Sequence, residues 1–347
     1  MGAAAGSTST TTPLASPGVA PPLPVAVFGA GSWGTALALQ FARSGHPTRL
    51  WGRDALQRER MAREHENVRY LPGAMFPENL GIAASLDAAL AGARDLLVAV
   101  PSHALRATLT ELRPRLRADL RLAWATKGFE LETGLLPHQV ARQVLGGEVP
   151  IAVLSGPTFA REVGAGLPTA MTVASPDPEF ATALATSLSS SNFRAYTSTD
   201  IVGVEVGGAV KNVMAVGAGL SDGLGFGANT RIALITRGLV EMTRLGVALG
   251  AQRETFMGLA GLGDLVLTCT DDQSRNRRFG LALAVGRSVE AALADIGQVV
   301  EGYSAARALR AVALRAGVSM PIAEGLYRTL YEGAPARPRR ACGTGPR

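Results

Sequence analysis

Residues 25–45 read VAVFGAGSWGTALALQFARSG, and this stretch decides the fold of the N-terminal half. The short apolar run Val25–Phe28 predicts a strand, and Thr35–Ser44 predicts a helix separated from it by a glycine-rich turn. Thr48–Trp51 predicts the next strand. Strand, glycine turn, helix and strand in this order begin a βαβ unit, the building block of parallel sheets.

The turn carries the spacing Gly29-x-Gly31-x-x-Gly34, which follows a strand and opens a helix. In that context Gly29 allows the tight turn, Gly31 lets the backbone approach a pyrophosphate, and Gly34 lets helix and strand pack closely. The first N–H groups of the helix favour an anion. The pattern therefore predicts a dinucleotide site.

The residues after the second predicted strand bear on which dinucleotide is bound. Arg53 comes first after that strand and favours the 2′-phosphate of NADP. Asp54 either holds the ribose hydroxyls of NAD or caps the following helix. The sequence favours NADP and leaves NAD open.

Apolar runs without alternation continue to about residue 197 and predict strands covered on both faces, as in a parallel sheet. They include Asp95–Val100, Leu120–Ala125 and Ile151–Leu154, with helical patterns between them. After residue 198 long helical patterns replace the strands, beginning with Ile201–Leu220. The chain is predicted to be α/β: a disordered leader at 1–22, a parallel-sheet dinucleotide domain at 23–197, an all-α domain at 198–333 and a disordered basic tail at 334–347.

Composition limits the function. The net charge is +6, but residues 334–347 hold four arginines and no acid, so residues 23–333 carry only about +2. That is a poor basis for binding nucleic acid. No uninterrupted apolar stretch of about 18 residues predicts a membrane span. Two cysteines without metal-type spacing argue against zinc or a disulfide framework and fit a cytoplasmic protein.

Of the 34 basic residues only Lys127 and Lys211 are lysines. A site that keeps lysine in so arginine-rich a chain needs what arginine cannot supply, a compact ammonium that gains and loses a proton. The alternative is codon bias. Lys211-Asn212 lies among small apolar residues of a predicted helix, where a buried lysine is costly unless it is paired. We therefore interpret Lys211 as a catalytic ammonium rather than a surface lysine.

Polar residues follow three predicted strands, in Ser102-His103, Thr126-Lys127-Gly128 and Ser155-Gly156-Pro157-Thr158. The carboxyl ends of parallel strands face the ligand crevice. His103 could act as a base, but the four histidines are scattered, and each is interpreted as a structural hydrogen-bonding residue.

In the second half a glycine-rich turn presents Asp264, and Ser274-Arg275-Asn276 follows within a dozen residues. One carboxylate can orient a lysine, and the forked guanidinium of Arg275 suits phosphate oxygens. Arg277 and Arg278 are interpreted as surface charges of a connecting loop, and Cys269 as a small packing residue.

These motifs, in order, resemble those of the bacterial NAD(P)-dependent glycerol-3-phosphate dehydrogenases over roughly residues 24–331. They are GAGSWGTALA from Gly29, VPSH from Val100, ATKGFE from Ala125, LSGPTFAREV from Leu154, GGAVKN from Gly207, GLAGLGDL from Gly258, SRN from Ser274 and VVEG from Val299.

The resemblance implies a Rossmann domain followed by an all-α domain, a homodimer, and reduction of dihydroxyacetone phosphate to sn-glycerol 3-phosphate for phospholipid synthesis. It implies catalysis by Lys211 with Asp264. It implies substrate contacts by Lys127, Gly156, Thr158, Lys211, Asn212, Asp264, Ser274, Arg275 and Asn276. It implies cofactor contacts by Gly29, Gly31, Ser32, Trp33, Gly34, Arg53, Lys127, Ala160, Arg275, Val299 and Glu301.

Two other functions compete with this interpretation. One is a reductase of the same plan that acts on a keto acid. The other is a redox-sensing regulator that binds NADP(H) without catalysis and has no use for Lys211 and Asp264.

Overall fold

The computed structural model describes residues 22–335, so the predicted leader except its last residue, and most of the basic tail, lie outside the described residues. Strands occur only before residue 199 among those residues. They are β1 (Val25–Phe28), β2 (Thr48–Trp51), β3 (Glu66–Asn67), β4 (Leu71–Met75), β5 (Leu80–Ile82), β6 (Asp95–Val98), β7 (Arg121–Trp124), β8 (Ile151–Ser155), β9 (Thr169–Ala174) and β10 (Phe193–Ser198).

Eight of these strands form one sheet in the order β10-β9-β8-β7-β6-β1-β2-β5, and β3 and β4 pair separately. The predicted parallel sheet is confirmed from β5 through β8, but β9 runs antiparallel to β8, and β10 runs parallel to β9. A full helical crossover keeps strands parallel. Only a six-residue helix at 160–165 separates β8 from β9, and the chain turns back there.

Helices cover both faces of the sheet. They are α1 (Ser32–Arg43), α2 (Ala55–Glu64), α3 (Leu86–Leu90), α4 (Ser102–Leu112), α5 (Pro137–Leu145), α6 (Ala160–Ala165) and α7 (Pro178–Leu188). The α1 helix begins at Ser32, closer to the glycine turn than predicted, because Gly31 already occupies the extended N-cap position. Asp54 caps α2 by accepting a hydrogen bond from Gln57 N, which agrees with its predicted alternative role as a helix cap.

The second half is helical, as predicted. It contains α8 (Ile201–Gly223), α9 (Gly227–Ala248), α10 (Asp264–Thr270), α11 (Arg275–Ala284), α12 (Val289–Ile296), α13 (Glu301–Arg315) and α14 (Pro321–Tyr331). A π-helical turn, Leu259–Gly263, leads directly into α10. The other helices surround α8, which is buried from end to end apart from its last turn.

By length and composition α8 could cross a membrane, with a mean hydropathy of 1.4. However, 94% of that window is buried inside the protein. Its buried charged and amide side chains, those of Glu205, Lys211 and Asn212, have partners within the fold. The high hydropathy of α8 is therefore explained by its position in the core of the helical half.

Close packing of α8 on α11 depends on glycine. A Cβ on Gly280 would overlap the carbonyl oxygen of Val216 and lie 2.7 Å from Leu220 N. We expect Gly280→Ala to lower the free energy of unfolding by about 3 kcal/mol, since two backbones must separate. The matched control is Gly325→Ala on the exposed face of α14, where a Cβ meets nothing within 4 Å. It should gain up to about 1 kcal/mol in chemical denaturation, and equal effects at both sites would contradict this account.

Candidate active site

A buried carboxylate between two ammonium groups forms the centre of the site. Lys211 Nζ lies 2.5 Å from Asp264 Oδ1, and Lys127 Nζ lies 2.7 Å from Asp264 Oδ2. Lys211 Nζ also donates to Thr268 Oγ1 at 3.0 Å. The Asp264 side chain is only 1% exposed. Both lysines of the chain therefore meet on one acid, although they stand 84 positions apart in the sequence.

Three elements bring these groups together. Lys127 follows β7 at the carboxyl edge of the sheet, Lys211 lies in the middle of α8, and Asp264 opens α10. The π-helical turn before Asp264 can approach α8 because position 207 is glycine. A Cβ on Gly207 would overlap the carbonyl oxygen of Ala260. Gly207 thus has a packing reason, since it lets the turn that presents Asp264 lie against α8.

Burial and charge change the acidity of this cluster. Burial lowers the pKa of Lys211 from 10.5 to about 8, against the opposing effect of Asp264 and with a smaller contribution from Lys127 in the same direction. Burial alone would raise the pKa of Asp264, but the two ammonium groups hold it below its ordinary value. Burial raises the pKa of the nearby Cys269 thiol to about 12, so this residue stays neutral. Lys211 can thus exchange a proton near neutral pH while Asp264 stays charged.

A second buried network connects this centre to the dinucleotide cleft. Asn212, next to Lys211, donates to Glu301 Oε2 at 2.9 Å, and its Oδ1 accepts from Asn276 Nδ2 at 2.9 Å. Asn276 Oδ1 in turn accepts from Gly302 N at 2.8 Å. The structure therefore brings Asn212, Asn276 and Glu301 together, which is consistent with their belonging to one site.

The cleft has a volume of about 850 Å³ and lies across the carboxyl edge of β1 and β2. Of the residues expected to touch cofactor, it is lined by Gly29, Gly31, Ser32, Trp33, Arg53, Arg275, Val299 and Glu301. Sequence reasoning missed Gln57, Arg69 and Tyr70 in its wall. Gln57 lies on α2, whereas Arg69 and Tyr70 lie in the turn between β3 and β4, where the sequence carries no periodic signal.

The glycine turn has the geometry that the fingerprint predicts. Gly29 has a φ of +111° and approaches Ala99 so closely that a Cβ would overlap its carbonyl oxygen. A Cβ on Gly31 would meet nothing within 4 Å, which leaves open space at the N-terminus of α1. The indole Nε1 atoms of Trp33 and Trp51 at the cleft are buried and lack a partner. The accessible backbone at Gly31, the N-terminus of α1 and the two indole N–H groups without a partner fit the binding of a dinucleotide.

Several predicted residues do not line the dinucleotide cleft. Gly34 packs against the backbone of Gly29 and Ala160 begins α6, and neither of them lines the cleft. Gly156 has φ +155° and a Cβ there would lie 2.9 Å from Met171 Cα, while Thr158 Oγ1 donates to Gly156 O at 3.3 Å. Gly156 therefore lies directly against the backbone of β9.

The residues at the N-terminus of α11 include Arg277, for which the prediction was wrong. Ser274 caps α11 by accepting from Arg277 N, and Arg275 is half-buried with Nη1 3.4 Å from Gln298 Oε1. Arg277 was predicted as a surface charge and is buried, with ion pairs of 2.5 Å to Asp222 and 2.9 Å to Asp272. The buried partner Asp222 on α8, which is distant in sequence, compensates the desolvation of the guanidinium, and exposed Asp272 adds a second ion pair. Arg278 is exposed as predicted.

A parallel sheet with a glycine-turn cleft, beside a buried lysine of lowered pKa, defines a nicotinamide-dinucleotide-dependent oxidoreductase. The family comparisons agree. Residues 24–181 match the N-terminal model and residues 200–339 the C-terminal model of the NAD-dependent glycerol-3-phosphate dehydrogenases. The chain belongs to this family.

Similar proteins cover nearly the whole chain. A glycerol-3-phosphate dehydrogenase [NAD(P)+] of Photobacterium profundum is 57% identical over 312 residues, 90% of this chain and 92% of that protein. One from Vibrio cholerae is 56% identical over 317 residues, 91% and 92% of the two chains. The crystal structure of a glycerol-3-phosphate dehydrogenase from Coxiella burnetii is 47% identical with a TM-score of 0.88, covering 91% and 96%.

Proposed function

We propose that this protein reduces dihydroxyacetone phosphate reversibly to sn-glycerol 3-phosphate with NAD(P)H, and so supplies glycerophospholipid biosynthesis. The observation that carries the proposal is the Lys211 ammonium held on buried Asp264, one residue from the network that reaches the cleft. The names of the relatives point to the same reaction.

The reduced nicotinamide supplies the hydride when the cofactor is bound. Negative charge then builds on the C2 carbonyl oxygen of the ketone, and an ammonium beside that oxygen stabilises the transition state more than the ground state. Lys211 supplies this charge and then transfers its proton to the oxygen. In the reverse direction the neutral amine takes the hydroxyl proton. Asp264 keeps Lys211 in place and keeps it charged near neutral pH.

The phosphate is assigned to the polar end of α11 and to the strand ends. We assign the substrate contacts to Lys127, Gly156, Thr158, Lys211, Asn212, Asp264, Ser274, Arg275 and Asn276. Arg275 offers a forked donor set that matches phosphate oxygens, and Lys127 offers a point charge. When the phosphate is held, C2 of the ketone is fixed beside Lys211. Binding of the phosphate therefore lowers the barrier of the reaction at C2.

The cofactor contacts are assigned to Gly29, Gly31, Ser32, Trp33, Gly34, Arg53, Lys127, Ala160, Arg275, Val299 and Glu301. Arg53 and Arg69 both line the end of the cleft after β2. Asp54 is engaged as the cap of α2 and lies 3.6 Å from Arg69 Nη1. Two guanidinium groups and an occupied acid favour the 2′-phosphate of NADP over the free ribose hydroxyls of NAD.

The test is an initial-rate assay of NADPH oxidation with dihydroxyacetone phosphate, compared with plain dihydroxyacetone. The phosphorylated ketone should be reduced with a kcat/KM about 1000-fold higher or more, because each charge-assisted contact to the phosphate contributes about 1.5–3 kcal/mol and at least two such contacts are assigned. Equal rates, or a preference for a keto acid, would overturn the assignment. No NADPH oxidation with any ketone would leave the regulator interpretation instead.

The same assay with NADH measures cofactor preference. A higher kcat/KM for NADPH than for NADH is the expected result. A preference for NADH would mean that Asp54 leaves Arg69 and holds the ribose.

We infer in addition a cytoplasmic homodimer without stable membrane insertion and without a nucleic-acid partner, divided into domains at 23–197 and 198–333. The near-neutral charge of residues 23–333 supports the absence of a nucleic-acid partner, and the buried position of α8 supports the absence of membrane insertion. The homodimer rests on the resemblance to the family, and the cytoplasmic location on the cysteine content. The change from sheet to helices between Ser198 and Ile201 supports the division.

A further inference from the structure

A second buried carboxylate lies outside the centre just described. Glu205 on α8 has a side chain with 0% exposure. Its Oε1 accepts from Trp124 Nε1 and from His138 N, both at 2.9 Å, and its Oε2 lies 2.6 Å from His138 Nδ1. A side chain that meets two N–H donors and a ring nitrogen in the interior is specific in its geometry, since losing it would leave all three without a partner.

The partners of Glu205 are informative because of where they lie in the chain. Trp124 ends β7 and His138 is the second residue of α5, so they bracket residues 125–137. That segment carries Lys127. Glu205 itself precedes Lys211 by six positions on α8, about 9 Å along the helix axis. One carboxylate thus fastens both ends of the Lys127 segment to the helix that carries Lys211.

We propose that Glu205, through Trp124 and His138, is a positioning residue that holds the Lys127 segment against α8, so that the two lysines occupy opposite oxygens of Asp264. This inference rests on the proposed function of that centre. Glu205 touches neither lysine and acts only through the segment that it fastens.

The structure predicts which substitutions preserve the arrangement. Glu205→Gln keeps an acceptor for Trp124 and His138 N, and its amide donates to Nδ1 of a neutral His138. Glu205→Met keeps the volume and removes every acceptor. Trp124→Phe removes a single bond on the side of β7. The matched control is Glu241→Met, because buried Glu241 on α9 caps α14 through Ile322 N at 2.7 Å and Ala323 N at 3.2 Å.

The chain offers a direct readout, because Lys127 and Lys211 are its only lysines. Protein labelled with ¹³C-lysine gives two lysine signals, which Lys211→Arg assigns. Each variant is titrated by NMR without substrate or cofactor. In Glu205→Met the midpoint of Lys211 should rise toward 10.5, since a displaced Lys127 no longer lowers it and the centre is less tightly buried. Glu205→Gln should restore the midpoint near 8, and Glu241→Met should leave it there.

Activity provides the second readout. Glu205→Met should lose at least tenfold in kcat for the phosphorylated ketone, with Glu205→Gln recovering most of it. An unchanged Lys211 midpoint and kcat in Glu205→Met would overturn the proposal. If Glu205→Met does not fold, Trp124→Phe decides: a smaller upward shift supports the proposal and no shift overturns it. Wild-type protein inactive toward the phosphorylated ketone would refute the proposed function alone, since the titration needs no turnover.

Discussion

Replacing Lys211 with arginine should lower kcat for reduction of dihydroxyacetone phosphate by about 1000-fold or more. Stabilising charge on the reacting oxygen and transferring a proton each contribute about 100-fold or more. A guanidinium stays charged at every accessible pH and cannot transfer the proton. It is also larger than the ammonium that lies between Asp264 and Thr268. The cofactor cleft lies outside the substituted position, so NADPH binding should persist.

The measurement is steady-state turnover together with NADPH binding by fluorescence and a thermal melt. Retained folding and cofactor affinity with lost turnover assign the loss to chemistry. Lys211→Met, which removes the charge without adding bulk, should lose at least as much. Turnover within tenfold of wild type in both variants would remove Lys211 from the mechanism.

Asp264→Asn should be the second most damaging substitution. The variant leaves two ammonium groups facing a neutral amide in the interior, and breaking a buried ion pair in this way costs about 3–5 kcal/mol of stability. Asp264 raises the pKa of Lys211, so its loss lowers that pKa further below about 8. A larger fraction of Lys211 is then neutral at pH 7.5, and the ammonium also loses the carboxylate that positions it, so reduction at that pH should fall about 100-fold.

The direction of the pH effect distinguishes a lowered pKa of Lys211 from a general loss of stability. Reduction by Asp264→Asn should recover in part as the pH is lowered, because acid restores the ammonium. The matched control is Asp200→Asn: Asp200 is a buried N-cap of α8 that accepts from Gly203 N at 2.8 Å and Gln252 N at 2.9 Å. It should lose stability and keep the wild-type pH profile. The same profile in both variants would contradict the role of Asp264.

Much of the fold follows from local signals in the chain. The glycine turn at 29–34 and the unbroken apolar strands are properties of neighbouring residues, so the βαβ start and the helical second half were predictable. The antiparallel β9 was not, because apolar runs give no direction. The strands between residues 66 and 82 were also missed, since their pairing depends on contacts across the sheet and on a separate hairpin.

The candidate site was predictable where composition made a residue unusual. Lys211 stood out because lysine is scarce, and Asp264 because glycines surround it. That Lys127 shares this acid, and that Arg277 is buried on Asp222, depend on elements far apart in sequence. No spacing rule encodes such contacts, and the burial of Glu205 between Trp124 and His138 was hidden for the same reason.

The most direct test of the central claim is the pH dependence of the wild-type enzyme measured in both directions. If Lys211 is the acid in reduction and the base in oxidation, kcat for ketone reduction should fall as pH rises through about 8, and kcat for sn-glycerol 3-phosphate oxidation should rise through the same midpoint. Profiles that are flat between pH 7 and 9.5, or that move in the same direction for both reactions, would contradict it.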